Sequence, residues 1–255
     1  MRNHLPLFLL VCLTVIFGNK VTGQVNLKDS CIGFSMISPS YAMHLPAFDM
    51  KDRFGMSNAV GATFGYKTKK NWYFGFEGNF LFSDKIKNEE SILANISTSD
   101  GHIIDKAGIY ANIVLLERGF DFMAKAGKII PVAGSNPNSG IMFTAGAGFL
   151  QHKIRIENSD NAAPQVADDY KKGYDHLCNG PALNQFVGYV HFSNARKINY
   201  FAGIEATEAF TYSRRAYYFA EMIRPDEKRF DMLIGVKIGW IFPLYKRVSR
   251  EFYYY

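Results

Sequence analysis

The stretch Arg229–Tyr245, RFDMLIGVKIGWIFPLY, alternates along its length between two kinds of side chain. One set of alternate positions is apolar throughout: Phe230, Met232, Ile234, Val236, Ile238, Trp240, Phe242 and Leu244. The positions between them include Asp231, Gly235, Lys237 and Gly239. Successive side chains of a β-strand point to opposite faces, so the stretch predicts a strand with one wholly apolar face. Because about 9–11 tilted residues cross a bilayer, we interpret it as the closing strand of a membrane β-barrel, with its apolar face toward lipid.

The N-terminal residues indicate where this strand works. Arg2 and His4 precede an apolar run at residues 5–18, and a cleavage point follows that run. This is the pattern of a secretory signal peptide at residues 1–23, with residues 24–255 as the barrel domain. An N-terminal membrane anchor is the alternative, but the run is short for a spanning helix. No later segment approaches ~18 consecutive apolar residues, so we expect an integral protein of a Gram-negative cell outer membrane that crosses with strands.

Seven further segments alternate in a similar way and extend the barrel. They are residues 31–44, 58–67, 71–82, 120–130, 140–156, 183–193 and 198–212. Some connections between these segments are short and rich in turn residues, and others are long. This is typical of outer-membrane barrels, which have short periplasmic turns and long outer loops. The expected fold is all-β, an eight- to ten-stranded antiparallel up-and-down transmembrane β-barrel, with ten strands if residues 108–118 and 216–224 are also strands. Pro39 and Gln151 interrupt the alternation, which predicts a bulge or a bend at Pro39 and a bulge near Gln151.

A soluble β-sandwich or lipocalin-like barrel is the alternative fold, and it would turn the apolar faces inward. Its solvent face would then carry a series of glycines: Gly61, Gly65, Gly75, Gly127, Gly235 and Gly239. Small residues suit the interior of a narrow membrane barrel better. Charged residues on the same faces are expected to form a lumen network: Glu77, Asp121, Lys125, Asp231 and Lys237. Because their signs are mixed and buried charges must be paired, we expect them to fill the interior rather than to line a pore.

The chain carries a formal net charge of +6, which favours anionic partners. A secreted chain has little access to nucleic acid, and its basic residues are scattered. Lipid A or lipopolysaccharide, other outer-membrane lipids and other envelope proteins are the expected partners. Arg214, Arg215 and Arg224 are candidates to contact lipopolysaccharide phosphates, with ordinary loop charge as the alternative. We expect no cofactor and no metal site. Cys31 and Cys178 are enough for one disulfide, and the sequence does not decide whether they form it.

The sharpest motif lies where two of these segments meet. It reads His191-Phe192-Ser193-Asn194-Ala195, followed by Gly203-Ile204-Glu205. This resembles the His-x-Ser-Asn-Ala and Gly-x-Glu of PagL-type lipid A deacylases, which are outer-membrane β-barrel esterases that remove an acyl chain from lipid A. The resemblance implies that Ser193 is the nucleophile, His191 the base and Glu205 its orienter. It also implies that Asn194 forms part of the oxyanion hole.

Two hairpin registers are open, and they decide whether these residues meet. A hairpin centred on Ile198 places His191 opposite Glu205, with Cβ atoms ~4.5–5.5 Å apart. A turn confined to residues 194–197 offsets Glu205 by about five residues, ~16 Å, and breaks the site. The first register brings these residues together, and with it the resemblance implies a Ser-His-Glu ester hydrolase acting on lipid A. The alternative is a non-enzymatic barrel in adhesion, assembly or secretion, of the kind common in Bacteroidota-like envelopes, or a small pore.

Overall fold

Nine strands form one closed antiparallel sheet in the computed structural model, which describes residues 30–132, 136–159, 163–195 and 197–245. The strands are β1 Phe34–Phe48, β2 Ser57–Lys67, β3 Trp72–Ser83, β4 Ile113–Ile130, β5 Gly140–Asn158, β6 Cys178–Phe192, β7 Asn199–Ser213, β8 Lys228–Trp240 and β9 Phe242–Leu244. Each strand from β1 to β7 pairs with the next, and β8 pairs back with β1. β9 continues β8 in the same register, since Gly239 pairs with Ser40 and Phe242 with Ile37. The fold is therefore an eight-stranded up-and-down barrel, and the expected signal peptide lies outside the described residues.

The connections between strands differ in length at the two ends of the barrel. Those at one end, the short-turn end, are residues 68–71, 131–139 and 193–198. Those at the other, the loop end, are residues 49–56, 84–112, 159–177 and 214–227. In the part of the chain that the structure describes, the helical turns lie in the long loops: Asp49–Asp52, Glu89–Ile92, Ala94–Ile96, Pro164–Val166 and Asp168–Gly173. Among the described residues, no helix has the length and apolarity needed to span a membrane. In outer-membrane barrels the short turns face the periplasm and the long loops face outward, which orients this chain.

The ten-strand alternative is wrong. Residues 113–118 are the first part of β4, where Ile113 pairs with Asn158 of β5. Residues 216–224 are a loop in which one bridge joins Tyr218 to Ile223. A strand inserted there would have no free neighbour, because β7 and β8 already pair with each other. Both apolar segments therefore belong to the eight-stranded arrangement.

The outer surface of the barrel is an apolar band. Its exposed large side chains include Val60, Phe64, Phe74, Phe76, Phe80, Phe122, Phe143, Leu183, Val187, Ile204, Val236 and Ile238. The outward face predicted for β8 is confirmed, and Asp231 and Lys237 are buried on its inner side. Toward the loop end the same surface carries Arg118, Lys153 and Arg155, so the apolar band stops there. A closed ladder with an apolar outer band is what a bilayer requires of a spanning sheet, and the protein is an outer-membrane barrel.

The bulge predicted at Gln151 is absent. Gln151 pairs with Phe120 in a register that is unbroken along β4 and β5. Leu150, Ile154 and Ile156 point inward and are buried in an apolar core at the loop end. Because the inner face becomes apolar there while the outer face carries Gln151, Lys153 and Arg155, the sequence pattern imitates a change of phase.

Pro39 interrupts the barrel differently from the predicted bulge. It pairs with Ala62 in an unbroken register on the β2 side. On the β8 side the pairs of Ser38 and Pro39 are missing, between Ile37 and Ser40. Proline has no N–H to donate, so the ladder loses a hydrogen bond where the barrel closes. This boundary between β1 and β8 is called the seam below.

The interior has three layers along the barrel axis. At the loop end, the long loops pack onto inward side chains of the strands and form an apolar core. Its members include Met50, Phe54, Leu81, Ile92, Leu93, Ile103, Leu115, Leu150, Ile154, Tyr174 and Leu233. Charged residues fill the middle, and Lys67 with several asparagines closes the short-turn end. An eight-stranded barrel is just wide enough for such side chains, so the lumen is filled.

Candidate functional site

Four charged side chains meet in the middle of the lumen, and we call them the lumen quartet. Lys125 Nζ lies 2.7 Å from Glu77 Oε1 and 2.8 Å from Glu205 Oε1. Lys237 Nζ lies 2.6 Å from Glu77 Oε1 and 3.0 Å from Glu205 Oε1. Each ammonium group therefore bridges both carboxylates, and the formal charges of the quartet cancel.

Thr63 and Asn79 add hydrogen bonds to the quartet. Thr63 Oγ1 donates to Glu77 Oε2 at 2.9 Å, and Asn79 Nδ2 donates to Glu77 Oε1 at 2.8 Å. His44 Nε2 lies 3.4 Å from Glu205 Oε2. Buried charges are tolerated when they are paired and hydrogen-bonded, as these are. The cavity beside the quartet has a volume of about 30 Å³, which is room for ordered water rather than for a channel.

The five residues expected to form a lumen network are all buried in the interior: Glu77, Asp121, Lys125, Asp231 and Lys237. They belong to two separate groups. Asp121 lies beside the quartet, where its Oδ1 accepts a hydrogen bond from Asn79 at 2.8 Å. Asp231 lies nearer the loop end, where it accepts from Thr211 and lies 2.9 Å from His152 Nε2. Glu205 is the fourth member of the lumen quartet. The sequence pattern assigned it to the deacylase-like motif and not to the lumen network.

A plug of asparagines and one lysine closes the short-turn end, which sequence reasoning missed. Lys67 Nζ is buried and donates to Asn138 Oδ1 at 2.9 Å and to Ile32 O at 3.1 Å. Asn136 Nδ2 donates to Phe192 O at 2.5 Å. Asparagines are ordinary turn residues, so the sequence carried no signal that these point inward.

The hairpin of β6 and β7 has the register in which the deacylase-like residues do not meet. His191 pairs with Tyr200, and Glu205 pairs with Phe186. The hairpin centred on Ile198 is therefore wrong. The His191 side chain lies on the outer surface, whereas Glu205 is 2% exposed and belongs to the lumen quartet. The barrel wall separates the expected base from its expected orienter.

Ser193 and Asn194 lie in the turn at the short-turn end. Ser193 N donates to Asn199 Oδ1 at 3.0 Å, and Ser193 Oγ accepts from Ala195 N at 3.2 Å. Asn194 Oδ1 accepts from Asn136 Nδ2 at 2.9 Å. These bonds hold the turn short, and that turn length sets the register of the whole hairpin.

The three arginines expected to meet lipopolysaccharide all lie at the loop end. Arg215 is already engaged, because its guanidinium forms a bidentate pair with Asp175, with Nε 2.7 Å from Oδ1. Arg214 Nε donates to Asn179 Oδ1 at 2.5 Å, and the residue is exposed. Arg224 is also exposed. Arg214 and Arg224 therefore present positive charge to the surroundings of the barrel.

A buried cluster of titratable side chains lies beneath the loops. Arg53 donates to Cys178 Sγ at 3.3 Å, and its Cζ lies 5.7 Å from the ring centre of Tyr218. His176 stacks on Tyr218, with ring centroids 4.3 Å apart. Burial, and after it the charges of Arg53 and Arg229, lower the pKa of His176 from 6.5 to about 3. The His176 imidazole is therefore neutral near pH 7.

The two cysteines beyond the expected signal peptide lie at opposite ends of the barrel and are free. Cys31 lies at the short-turn end, with its Sγ 3.2 Å from Asn71 Oδ1. Cys178 begins β6 under the loops. Across the described ranges, no cluster of His, Cys, Asp and Glu side chains is arranged to hold a metal ion.

Comparison with known proteins gives likenesses of structure alone. No family model matches the sequence, and no curated protein matches it. Ail, the attachment invasion locus protein of Yersinia pestis, is 9% identical, with 83% of this chain and 99% of that chain covered at a TM-score of 0.43. Ail in complex with the heparin analogue sucrose octasulfate is 12% identical, with 83% and 99% covered at 0.38. The outer membrane protein OprG from Pseudomonas aeruginosa is 12% identical, with 86% and 99% covered at 0.33. At these identities and TM-scores, the likenesses assign neither a family nor a function to this chain.

Proposed function

We propose that this outer-membrane barrel is a non-enzymatic binding protein of the cell surface that acts in adhesion. The observation that carries the proposal is a small hairpin at residues 103–111, in the loop between β3 and β4. This surface hairpin exposes large apolar side chains beyond the lipid band.

Hydrogen bonds and a ring contact hold the surface hairpin in one shape. Ile104 and Tyr110 form an antiparallel bridge, and Asp105 N donates to Ile109 O at 2.8 Å. The Asp105 carboxylate in turn accepts from Ile109 N at 3.0 Å. His102 stacks on Tyr110, with ring centroids 4.4 Å apart. A surface held in advance loses little conformational entropy when a partner binds.

The surface hairpin presents its apolar side chains to water rather than to lipid. Ile109 is 64% exposed and Tyr110 is 62% exposed, with Ile104 beside them. The hairpin comes just before β4 in the chain. At the start of β4, Val114 pairs with Glu157 of β5, so the barrel wall already carries a charged side chain at this level. Exposed apolar patches in water are typical of interaction sites, and tyrosine is among the residues that dominate binding energy.

The filled interior favours binding over transport. The lumen quartet occupies the middle of the barrel, the apolar core closes the loop end, and the asparagine plug closes the short-turn end. Conduction would need a continuous path past all three layers. In a planar bilayer, we therefore expect the purified barrel to carry no ion current.

Lipopolysaccharide is the proposed partner of the loop end at the membrane surface. The exposed guanidinium groups of Arg214 and Arg224 support this, because arginine binds phosphate in bidentate fashion. Arg215 is left out of the proposal, since Asp175 already occupies its guanidinium. Contacts of this kind would orient the surface hairpin toward a partner outside the cell.

The binding proposal is tested on cells that display the protein. Cells making the wild type should adhere to sister cells, or to immobilised laminin, fibronectin or collagen, more than cells with an empty vector do. The double variant Ile109→Ser, Tyr110→Ser should abolish that gain. Tyr170→Ser removes an equally exposed side chain from another loop and should preserve it. Adhesion that is the same for wild type, double variant and empty vector would overturn the proposal.

Ester hydrolysis of lipid A is the second candidate function. It is supported by the motif of His191, Ser193 and Asn194 and by the position of His191 on the outer surface. The place of the motif at the short-turn end counts against it, because lipopolysaccharide belongs to the leaflet at the loop end. Because the quartet holds Glu205, Ser193 would act with His191 as its base and without a carboxylate orienter. The His191 ring lies instead against Tyr200, with centroids 5.2 Å apart. A serine hydroxyl needs an adjacent base to become a nucleophile, so both residues are required.

Mass spectrometry of lipid A separates the two functions. If the barrel is a deacylase, cells making the wild type lose one acyl chain from lipid A, and cells making Ser193→Ala or His191→Ala do not. Lipid A masses that are the same with and without the wild-type protein would exclude this activity. Such a result would leave the binding proposal unaffected, because the surface hairpin lies at the other end of the barrel.

A further inference from the structure

We infer that a groove on the outer wall of the barrel, across the seam, binds one acyl chain of a phospholipid from the periplasmic leaflet. The groove has a volume of about 540 Å³ and is lined by residues of β1, β7 and β8. They are Pro39, Ser40, Tyr41, Tyr200, Phe201, Ala202, Ile238, Gly239 and Trp240. The inference depends on the membrane location of the barrel and not on the adhesion or deacylase proposals.

The groove exists because of two residues, Pro39 at the seam and Ala202 beside it. Pro39 removes a hydrogen bond between β1 and β8, and the pairs of Ser38 and Pro39 are missing from that ladder. Ala202 adds only a single methyl group to the outer face beside Ile238, with which it pairs. The wall is therefore thin at this point, while its neighbours carry bulky side chains.

Aromatic side chains form the sides of the groove. Trp240 pairs with Tyr200 across β8 and β7, and both are exposed on the outer surface. Tyr41 pairs with Ile238 one row nearer the loop end. These aromatic side chains border the groove, so an acyl chain in it would contact their rings.

The floor of the groove is rigid. A Cβ atom at Gly239 would point inward and lie 2.3 Å from Phe201 Cε1, so the Phe201 ring lies directly beneath the wall at this point. The Phe201 ring lies on the inner side, packed edge-on against Phe186 with centroids 5.6 Å apart. The floor cannot collapse inward against this packing, and the space has to be filled from the membrane.

The surroundings of the groove identify its occupant. It opens within the apolar band, where acyl chains are the medium, and its lining carries no charged side chain. Trp240 and Tyr200 lie near the short-turn end, the depth at which aromatic girdles meet the headgroups of the periplasmic leaflet. That leaflet is built of phospholipid, so a glycerophospholipid with its headgroup toward the short-turn end fits the groove.

A second outer groove provides an internal control. It has a volume of about 410 Å³ and is lined by residues of β3, β4 and β5, including Phe76, Gly78, Phe122, Ala124, Ala147 and Gly148. The ladders on both sides of β4 are unbroken at this place. It therefore lacks the interrupted seam, and we expect its lipid to exchange like the rest of the surface layer.

The two tryptophans of the chain make the site directly measurable. Trp72 and Trp240 are both exposed on the outer surface near the short-turn end, to similar extents of 47% and 44%. Only Trp240 lines the groove. The variants Trp72→Phe and Trp240→Phe each leave one fluorophore. Phosphatidylethanolamine with brominated acyl chains, added to each purified variant in detergent, quenches tryptophan on contact.

We expect Trp240 to reach half-maximal quenching at about tenfold lower lipid concentration than Trp72, a difference of roughly 1.4 kcal/mol in binding free energy. The plateau should correspond to one lipid per barrel in native mass spectrometry. Ala202→Phe, which fills the groove, should abolish this advantage in the Trp72→Phe background, and Ala147→Phe in the control groove should preserve it. Each variant is first checked for the heat-modifiable migration of a closed barrel.

Equal quenching curves for Trp72 and Trp240 would overturn the proposal, and this comparison does not depend on the folding of Ala202→Phe. A lipid-free dimer in native mass spectrometry that Ala202→Phe converts to monomer would also overturn it, because the groove would then be an interface between two copies.

Discussion

Lys125 Nζ donates a hydrogen bond to Glu205 Oε1 across the lumen, at 2.8 Å. This bond joins β4 to β7 through the middle of the barrel. His191 pairs with Tyr200 of β7, and both side chains lie on the outer surface. Glu205 follows Tyr200 on the same strand at an odd spacing, so its side chain points to the opposite face. Successive side chains alternate between faces, so the short register sends the carboxylate to the lumen. The glutamate of the motif is therefore a structural residue.

Glu205→Gln should destabilise the barrel by about 3–5 kcal/mol, because two buried lysines would then depend on one carboxylate. Urea unfolding of the barrel in lipid vesicles, followed by tryptophan fluorescence, measures the change. The double variant Glu205→Leu, Lys237→Leu removes opposite charges together. Its cost should be smaller than the sum of the two single leucine variants, and a strictly additive result would contradict the pairing.

The faces of β8 could be predicted because the residues on each of its two faces are informative. Val236 and Ile238 would be exposed to water in a soluble barrel, while Lys237 between them would be buried. Only a bilayer outside and a paired charge inside satisfy both positions. The sequence contained this information without any knowledge of neighbouring strands.

The hairpin register could not be read in the same way, because it depends on one turn. The bond from Ser193 N to Asn199 Oδ1 closes the connection early, and neither residue type announces this in a sequence rich in turn formers. The apolar core at the loop end was hidden for another reason. Met50 and Ile92 come from different loops, and both join the apolar core that contains Leu150 only when the chain folds.

Val236→Arg should cost about 2–4 kcal/mol, because Val236 faces lipid near the middle of β8 and a guanidinium there must leave water. The free energy of unfolding in vesicles measures the effect. Val236→Leu keeps the position apolar and should be nearly neutral. An arginine that is tolerated as well as the leucine would mean that the position faces water.

Gly235→Ala should destabilise the barrel by about 1–3 kcal/mol, because the added methyl group needs the backbone to move. A Cβ atom at Gly235 would lie 1.8 Å from the carbonyl oxygen of Met43 on the neighbouring strand. Gly78→Ala is the matched control, since its Cβ would meet only the exposed ring of Phe122 at 3.0 Å. The ring can turn away, so the control should change the unfolding midpoint little. A larger loss for Gly78→Ala than for Gly235→Ala would contradict this account.

The stability of the loop end should fall as the pH drops below about 6.5, through His176. Its pKa is lowered to about 3 in the folded protein, first by burial and then by Arg53 and Arg229. The carboxylate of Glu221, 3.5 Å from Nε2, is half exposed, so water screens its attraction. Between pH 6.5 and 3 the unfolded loop binds a proton that the folded loop does not. The contribution of the neutral imidazole to the free energy of unfolding is therefore fully present above pH 6.5. It is lost as the pH falls from 6.5 toward 3.

His176→Phe should remove this pH dependence, because phenylalanine keeps the stack on Tyr218 and cannot bind a proton. Hydrogen exchange of residues 163–177 measures the free energy of local opening at several pH values. In the wild type, that free energy should fall by up to roughly 1.4 kcal/mol per pH unit between pH 6 and 4, and the variant should lose that part of the slope. Equal slopes in the two proteins would show that His176 is already charged when folded. A steeper slope in the variant would assign the acid sensitivity to the neighbouring carboxylates.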